Sequence, residues 1–208
     1  MEYLVTMTTH VPDGVAAHTV DDTRAREAIR SRELAVHGDL LRLWRPPLQP
    51  GEWRTLGLFS AADELQLEKV LASMPLRVWR TDEPMPLAEH PNDPGRTRRL
   101  LIAPDAGMEF LTILTINVPE GTPARTVADT EVAEAAHADE LAQQGHLLRL
   151  WTLPSDPGQR RALGLWSASG RTELARILRS LPLYPWMTIE TTPLTTHPND
   201  PGLTRASS

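Results

Sequence analysis

Leu40–Trp44 reads LLRLW, and Leu147–Trp151 reads LLRLW again, 107 positions further on. The same offset pairs Met1 with Met108, Gly38 with Gly145 and Gly57 with Gly164. It also pairs two copies of HPNDPG, His90 to Gly95 and His197 to Gly202. No gap is needed, and about half of the paired positions are identical. Self-similarity of this kind sets the architecture before any secondary-structure assignment. The chain is one small unit written twice, over 1–95 and 108–202, with a linker at 96–107 and a tail at 203–208.

Composition narrows the function classes. A unit of this size buries only a modest fraction of its surface alone, so the two units are expected to share a core or an interface. The chain has no cysteine, which excludes disulfides, thiolate zinc sites and a cysteine nucleophile. The net charge is −6, with no clustered basic stripe, so nucleic acid is not an expected partner. No apolar run approaches the length of a membrane helix, and MEYLVTM has no basic n-region, so neither a membrane span nor a signal peptide is expected. The expected location is the cytoplasm. Arg96, Arg98 and Arg99 in the linker read as solvated charges.

Each unit shows the same order of elements. Tyr3, Val5 and Met7 alternate in Glu2–Thr9, as in a half-buried strand. Thr19 with Asp22, and Thr126 with Asp129, resemble capped helix starts. Gly38 and Gly145 fall where a helix C-terminus wants a left-handed residue. Leu40–Arg45 and Arg54–Ser60 read as strands. Leu67, Val70, Leu71 and Met74 recur at helical spacing, as do Leu174, Ile177, Leu178 and Leu181. A fourth strand is clearest at Trp186–Thr191. The order βαββαβ is α+β and ferredoxin-like, an antiparallel sheet with both helices on one face. The bare sheet face is a liability, so the two tandem units are expected to cover each other as an internal pseudo-dimer of the dimeric α+β barrel type. Further assembly into a homo-oligomer is compatible with this.

Several stretches resemble a known family: Met-x-aromatic-x-Val-x-Met-Thr at the start, then Pro12, Gly38, LLRLWR, and later SLPLYPWMTIE followed by THP. Together they resemble muconolactone delta-isomerase over essentially all of each repeat. The resemblance implies a ferredoxin-like fold and a cofactor-free proton shift in a small unsaturated lactone acid. It implies no metal, and the sequence has no HExxH or compact ligand run. Family members assemble from separate small subunits, so the fusion is a departure. In the first copy Arg77-Val78-Trp79-Arg80 also departs from the family pattern kept by Tyr184-Pro185-Trp186-Met187, which suggests a remodelled fourth strand.

Such chemistry needs a general acid/base near two carbons, a cation for the substrate carboxylate, and donors for a developing enolate. Glu27 aligns with a glutamate of the family's first helix, and Glu134 is its counterpart in the second copy. Both survive although Arg24/Glu131 and Arg26/Ala133 around them diverge. The competing reading is a surface glutamate. Arg24 lies one turn before Glu27 and can share its helix face, holding a substrate carboxylate or forming a surface ion pair. Arg45 becomes Thr152 in the second copy, so the two sites should differ electrostatically. If one site works, it is expected to be the one containing Glu27.

On the second strand, Leu41 and Leu43 suit the helix side. Arg42 and Trp44 would then line a cavity between the repeats, with Arg149 and Trp151 from the other half. The alternative is an interface salt bridge and a core tryptophan. His90 and His197 follow the last strands, where each could cross over to complete the opposite site, or simply stack in a turn. The substrate is expected to be a small molecule carrying an anionic group. Two alternatives stay open: a cyclase or ring-opening enzyme of bacterial secondary metabolism, and a non-catalytic ligand-binding pseudo-dimer.

Overall fold

The computed structural model describes residues 1–96, 107–156 and 159–205. It divides into two compact units, Met1–Leu87 with Thr195–Ser208, and Ala88–Leu194. These units do not coincide with the sequence repeats: each takes its closing HPNDPG segment from the end of the other repeat.

Unit 1 contains β1 (Glu2–Thr9), α1 (Ala17–His37), β2 (Leu40–Arg45), β3 (Arg54–Ser60), α2 (Glu64–Ala72) and most of β4 (Arg80–Glu89). β1 is central, antiparallel to β3 on one side and β4 on the other, with Val5 opposite both Gly57 and Pro84. β2 pairs with the far edge of β3, which gives the sheet order 4-1-3-2 of a ferredoxin-like unit. Trp44 and Arg45 of β2 pair in turn with Thr196 and Thr195. The alternation in β1 has its expected effect: Tyr3, Val5 and Met7 are buried with Leu34 of α1 and Leu67, Val70, Leu71 and Met74 of the second helix region. Truncating a side chain such as Leu71 in a core of this kind costs about 2–5 kcal/mol.

Unit 2 repeats the scheme with β5 (Met108–Ile116), α3 (Ala124–Gln143), β6 (Leu147–Leu153), β7 (Arg160–Ala168), α4 (Arg171–Arg179) and most of β8 (Met187–Thr196). β5 is antiparallel to β7 and β8, and β6 pairs with β7. Its core gathers Phe110, Leu114, Leu141, Leu150, Trp166, Ile177 and Leu178.

Local differences from the sequence expectations have physical causes. Thr19 and Thr126 lie inside their helices, which begin at Ala17 and Ala124 with no side-chain cap. Their carbonyls accept from the hydroxyls of Thr23 and Thr130 one turn on. Gly38 does close α1 in the left-handed region, φ 83°, and the Asp39 N–H reaches back to the Leu34 carbonyl at 2.9 Å. The fourth strand of the first copy is as long as that of the second, ten residues each. The divergence falls instead in the short 3-10 turns that precede them, Pro75–Trp79 and Tyr184–Trp186. The end of the second HPNDPG segment and the start of the tail form one helical turn, α5 (Pro201–Arg205), started by a proline at a position where its missing N–H costs nothing. Arg98 and Arg99 lie outside the described residues.

Candidate active site

One face of α1 carries Thr23, Glu27, Ser31 and Leu34 at helical spacing, all buried. An inward stripe with three polar residues is unusual, because a buried polar group must find partners. Glu27 finds them at the start of the 3-10 turn and of β4. Its Oε2 accepts the Leu76 N–H at 2.8 Å, and its Oε1 accepts Arg80 Nη1 at 3.0 Å. Arg80 is itself buried, its Nη2 donating to Asp82 Oδ2 at 3.0 Å. Arg77 donates to the same Asp82 oxygen at 2.7 Å and also reaches Glu68. Desolvation pushes the Glu27 carboxyl above its usual range, against the opposing pull of the Leu76 N–H and the Arg80 charge.

Glu27 opens onto a cavity of about 350 Å³ in unit 1. Arg24, Arg45 and Arg80 line it together with Trp53, Leu43 and His197. Three guanidinium groups therefore face one carboxylate. Arg24 stacks on the Trp53 ring, 4.9 Å from its centroid, which fixes a long exposed side chain at the rim. His197 arrives with the chain end, its N–H bound to the Leu43 carbonyl at 3.1 Å. Burial, then the charges of Arg45 and Arg24, lower its pKa to about 4. The ring is neutral at ordinary pH. Its Nδ1 accepts the Asn199 N–H at 3.1 Å, so the proton sits on Nε2.

Arg42 and Trp44 are elsewhere. A register shift between Leu40 and Arg42 breaks the strict alternation of β2. Leu40 and Leu43, not Leu41 and Leu43, join the helix-side core, and the cavity lies on that side with Leu43 and Arg45. Arg42 stacks over Trp44 at 4.8 Å and its Nε donates to both Asp200 oxygens, at 3.2 and 3.0 Å. Asp200 also accepts the Leu43 N–H at 2.9 Å. Unit 2 repeats this clamp: Arg149 stacks over Trp151 at 4.7 Å and pairs with Asp93, which accepts the Leu150 N–H. Arg149 and Trp151 are likewise absent from the residues lining the unit 2 cavity. The repeated Arg-x-Trp and the aspartate of HPNDPG are thus two halves of one buried fastening, placing the histidine three residues before the aspartate.

Unit 2 has a corresponding cavity of about 390 Å³, lined by Glu134, His90, Glu131, Thr152, Arg160 and Met187 among others. Glu134 Oε2 accepts the Leu183 N–H at 2.9 Å, as Glu27 does from Leu76. No salt bridge reaches Glu134 among the described residues, because Met187 stands in the place of Arg80. Burial again raises the carboxyl, opposed by the Leu183 N–H and by His137. His90 keeps the Nδ1 contact, to the Asn92 N–H at 3.1 Å, and burial lowers its pKa against the pull of Asp93.

Of the residues singled out from sequence, Glu27, Arg24, Arg45 and His197 share one cavity, and Glu134 and His90 share the other. Arg80, Asp82 and Trp53 were not singled out. The signal available was Arg80 itself, a charge where the second copy has methionine at the start of the fourth strand.

The family model described as muconolactone delta-isomerase matches residues 1–93 and 108–200. A muconolactone delta-isomerase of Cupriavidus pinatubonensis is 30% identical over 92 residues, covering 44% of this chain and 97% of that protein. One of Rhodococcus opacus is 30% identical over 91 residues, covering 44% and 95%. Among solved structures, chlorite dismutase from Candidatus Nitrospira defluvii matches 99% of this chain and 95% of its own, with TM-score 0.57 and 10% identity. A haem-binding protein from Thermus thermophilus matches 100% and 95%, with TM-score 0.56 and 13% identity. At such identities these two structures speak to the fold alone.

Proposed function

The chain belongs to the muconolactone delta-isomerase family, and from that premise we propose that unit 1 shifts a proton within a small unsaturated lactone bearing a carboxylate. The observation that carries this reading is the Glu27 carboxyl, buried, raised by desolvation and facing a cavity rich in guanidinium groups.

In this reading Glu27 is the general acid/base. Its two oxygens accept from Leu76 and Arg80, which leaves lone pairs for a substrate proton. The carboxylate takes the proton from the ring carbon bearing the acid side arm. The electron pair moves into the conjugated system and the negative charge develops on the lactone carbonyl oxygen. The protonated Glu27 then returns a proton to the carbon beside the carbonyl, and the double bond has moved by one position. No atom is gained or lost. Burial and Arg80 oppose each other on Glu27, so it is a stronger base than an exposed glutamate yet stays ionisable. Arg24 and Arg45 are the groups for the substrate carboxylate, and Arg24 is pre-oriented by Trp53. The neutral His197 presents Nε2–H as a donor for the developing enolate.

Steady-state kinetics on muconolactone test this. Glu27→Gln should lower kcat by at least about 10²-fold, the scale of general acid/base catalysis. Glu134→Gln should leave the rate within about twofold. Equal losses from both variants would sink the assignment to unit 1. No feature of the cavity favours the cyclase or the purely binding alternative.

A further inference from the structure

The geometry points to a second binding site, in unit 2, that takes an uncharged and largely apolar carbonyl compound rather than an anion. Unit 2 keeps the scaffold of the unit 1 site but changes its lining. Ile116, Ala138, Ala162 and Met187 stand where unit 1 has Thr9, Ser31, Thr55 and Arg80. Four positions that are polar in unit 1 are apolar here, around a cavity of about 390 Å³, a size suited to a small organic molecule.

The charges change with them. Glu131 replaces Arg24 and Thr152 replaces Arg45. Two guanidinium groups now face two carboxylates, and Arg160 is paired with Glu131. Arg161, the other cation of the lining, donates to the Pro154 carbonyl at 3.5 Å. The lining therefore offers a carboxylate less than unit 1 does, where Arg24, Arg45 and Arg80 face a single glutamate. Here the cavity stays open, the glutamate keeps its backbone donor, and the histidine keeps its Asn92 contact.

Two polar handles remain for a neutral ligand. Glu134, held by Leu183, is raised by burial and in its protonated form donates to a carbonyl oxygen. His90 lines the same cavity, its Nδ1 accepting the Asn92 N–H. A small lactone or ester without a carboxylate matches this combination of apolar lining and paired polar groups. This assignment stands beside the proposed activity of unit 1 and does not depend on it.

Two amides report the two sites directly in the intact chain: Leu183 N–H, bound to Glu134, and Leu76 N–H, bound to Glu27. Heteronuclear NMR titrations should be run with angelica lactone, an uncharged methyl butenolide, and with muconolactone. Angelica lactone should shift Leu183 at concentrations that leave Leu76 unmoved. Muconolactone shifting Leu183 at equal or lower concentration would overturn the assignment, as would silence of Leu183 to angelica lactone at millimolar concentration. If Leu183 responds to angelica lactone while Leu76 ignores muconolactone, the unit 2 site stands and the carboxylate-binding reading of unit 1 falls. Met187→Arg installs in unit 2 the cation that Arg80 supplies in unit 1 and should tighten muconolactone at Leu183 by about tenfold, the scale of one added charge-assisted hydrogen bond. No tightening in a variant with wild-type amide dispersion would also count against the assignment.

Discussion

Arg80 Nη1 donates to Glu27 Oε1 at 3.0 Å, joining the first residue of β4 to the middle of α1. The two side chains are 2% and 10% exposed, so neither charge has water to fall back on. Burying a carboxylate alone would favour its neutral form. Adding a guanidinium pulls the balance back, and the pair sets how basic Glu27 is.

Arg80→Met, which copies Met187 into unit 1, should therefore raise the Glu27 pKa further. The acid limb of the pH profile of kcat/KM should move to higher pH. Arg80→Lys, which keeps a cation there, should show a smaller shift. Removing one member of a buried pair costs about 3–5 kcal/mol, so circular dichroism must accompany the kinetics. An acid limb that stays in place in a folded variant contradicts the role given to Arg80.

Glu134 offers a test of the burial effect without a guanidinium. Its folded pKa lies above the ordinary carboxylate value, so the folded state binds the proton more tightly than the unfolded chain does. Its contribution to stability is present below the unfolded pKa and is lost as pH rises through the folded one. Wild type should thus lose stability relative to Glu134→Gln as pH climbs from the normal glutamate range. Thermal melts of both proteins across that range read the difference. A difference that is flat, or of opposite slope, refutes the raised carboxyl.

The fastening between Arg42 and Asp200 should matter more to stability than any surface ion pair. Asp200→Ala removes the carboxylate that the buried Arg42 and the Leu43 N–H donate to, and should cost about 3–5 kcal/mol in urea unfolding. Gly202→Ala attacks the same place by crowding, since a Cβ there would lie 2.8 Å from Asp200 Oδ2 and 2.9 Å from Arg42 Nε. Surface changes such as Asp22→Ala, which breaks an exposed pair with Arg26, should stay below about 1 kcal/mol. Similar losses from Asp200→Ala and Asp22→Ala would contradict the clamp.

The tandem α+β units were legible because each element carries its own period: Tyr3, Val5 and Met7 at two, Leu67, Val70, Leu71 and Met74 at helical spacing. Glu27 stood out because it survived in both copies while its neighbours changed. The rest needed three dimensions. A register shift beside Leu41 moved the cavity to the Leu43 and Arg45 side, and no local signal marks that shift. The aspartates of HPNDPG bind arginines 56 and 158 residues away, too distant to pair by spacing. Arg80 reads as the first residue of a strand, and only the fold brings it to Glu27, 53 residues earlier.

Movement of a proton by Glu27 on an unsaturated lactone in unit 1 leaves an isotopic record. Proton NMR of muconolactone with the intact protein in D2O tests it most directly. Proton transfer by Glu27 should remove the C–H signal at the ring carbon bearing the acid arm and place deuterium beside the carbonyl, and Glu27→Gln should do neither. Unchanged muconolactone without deuterium, or full turnover by Glu27→Gln, would contradict it.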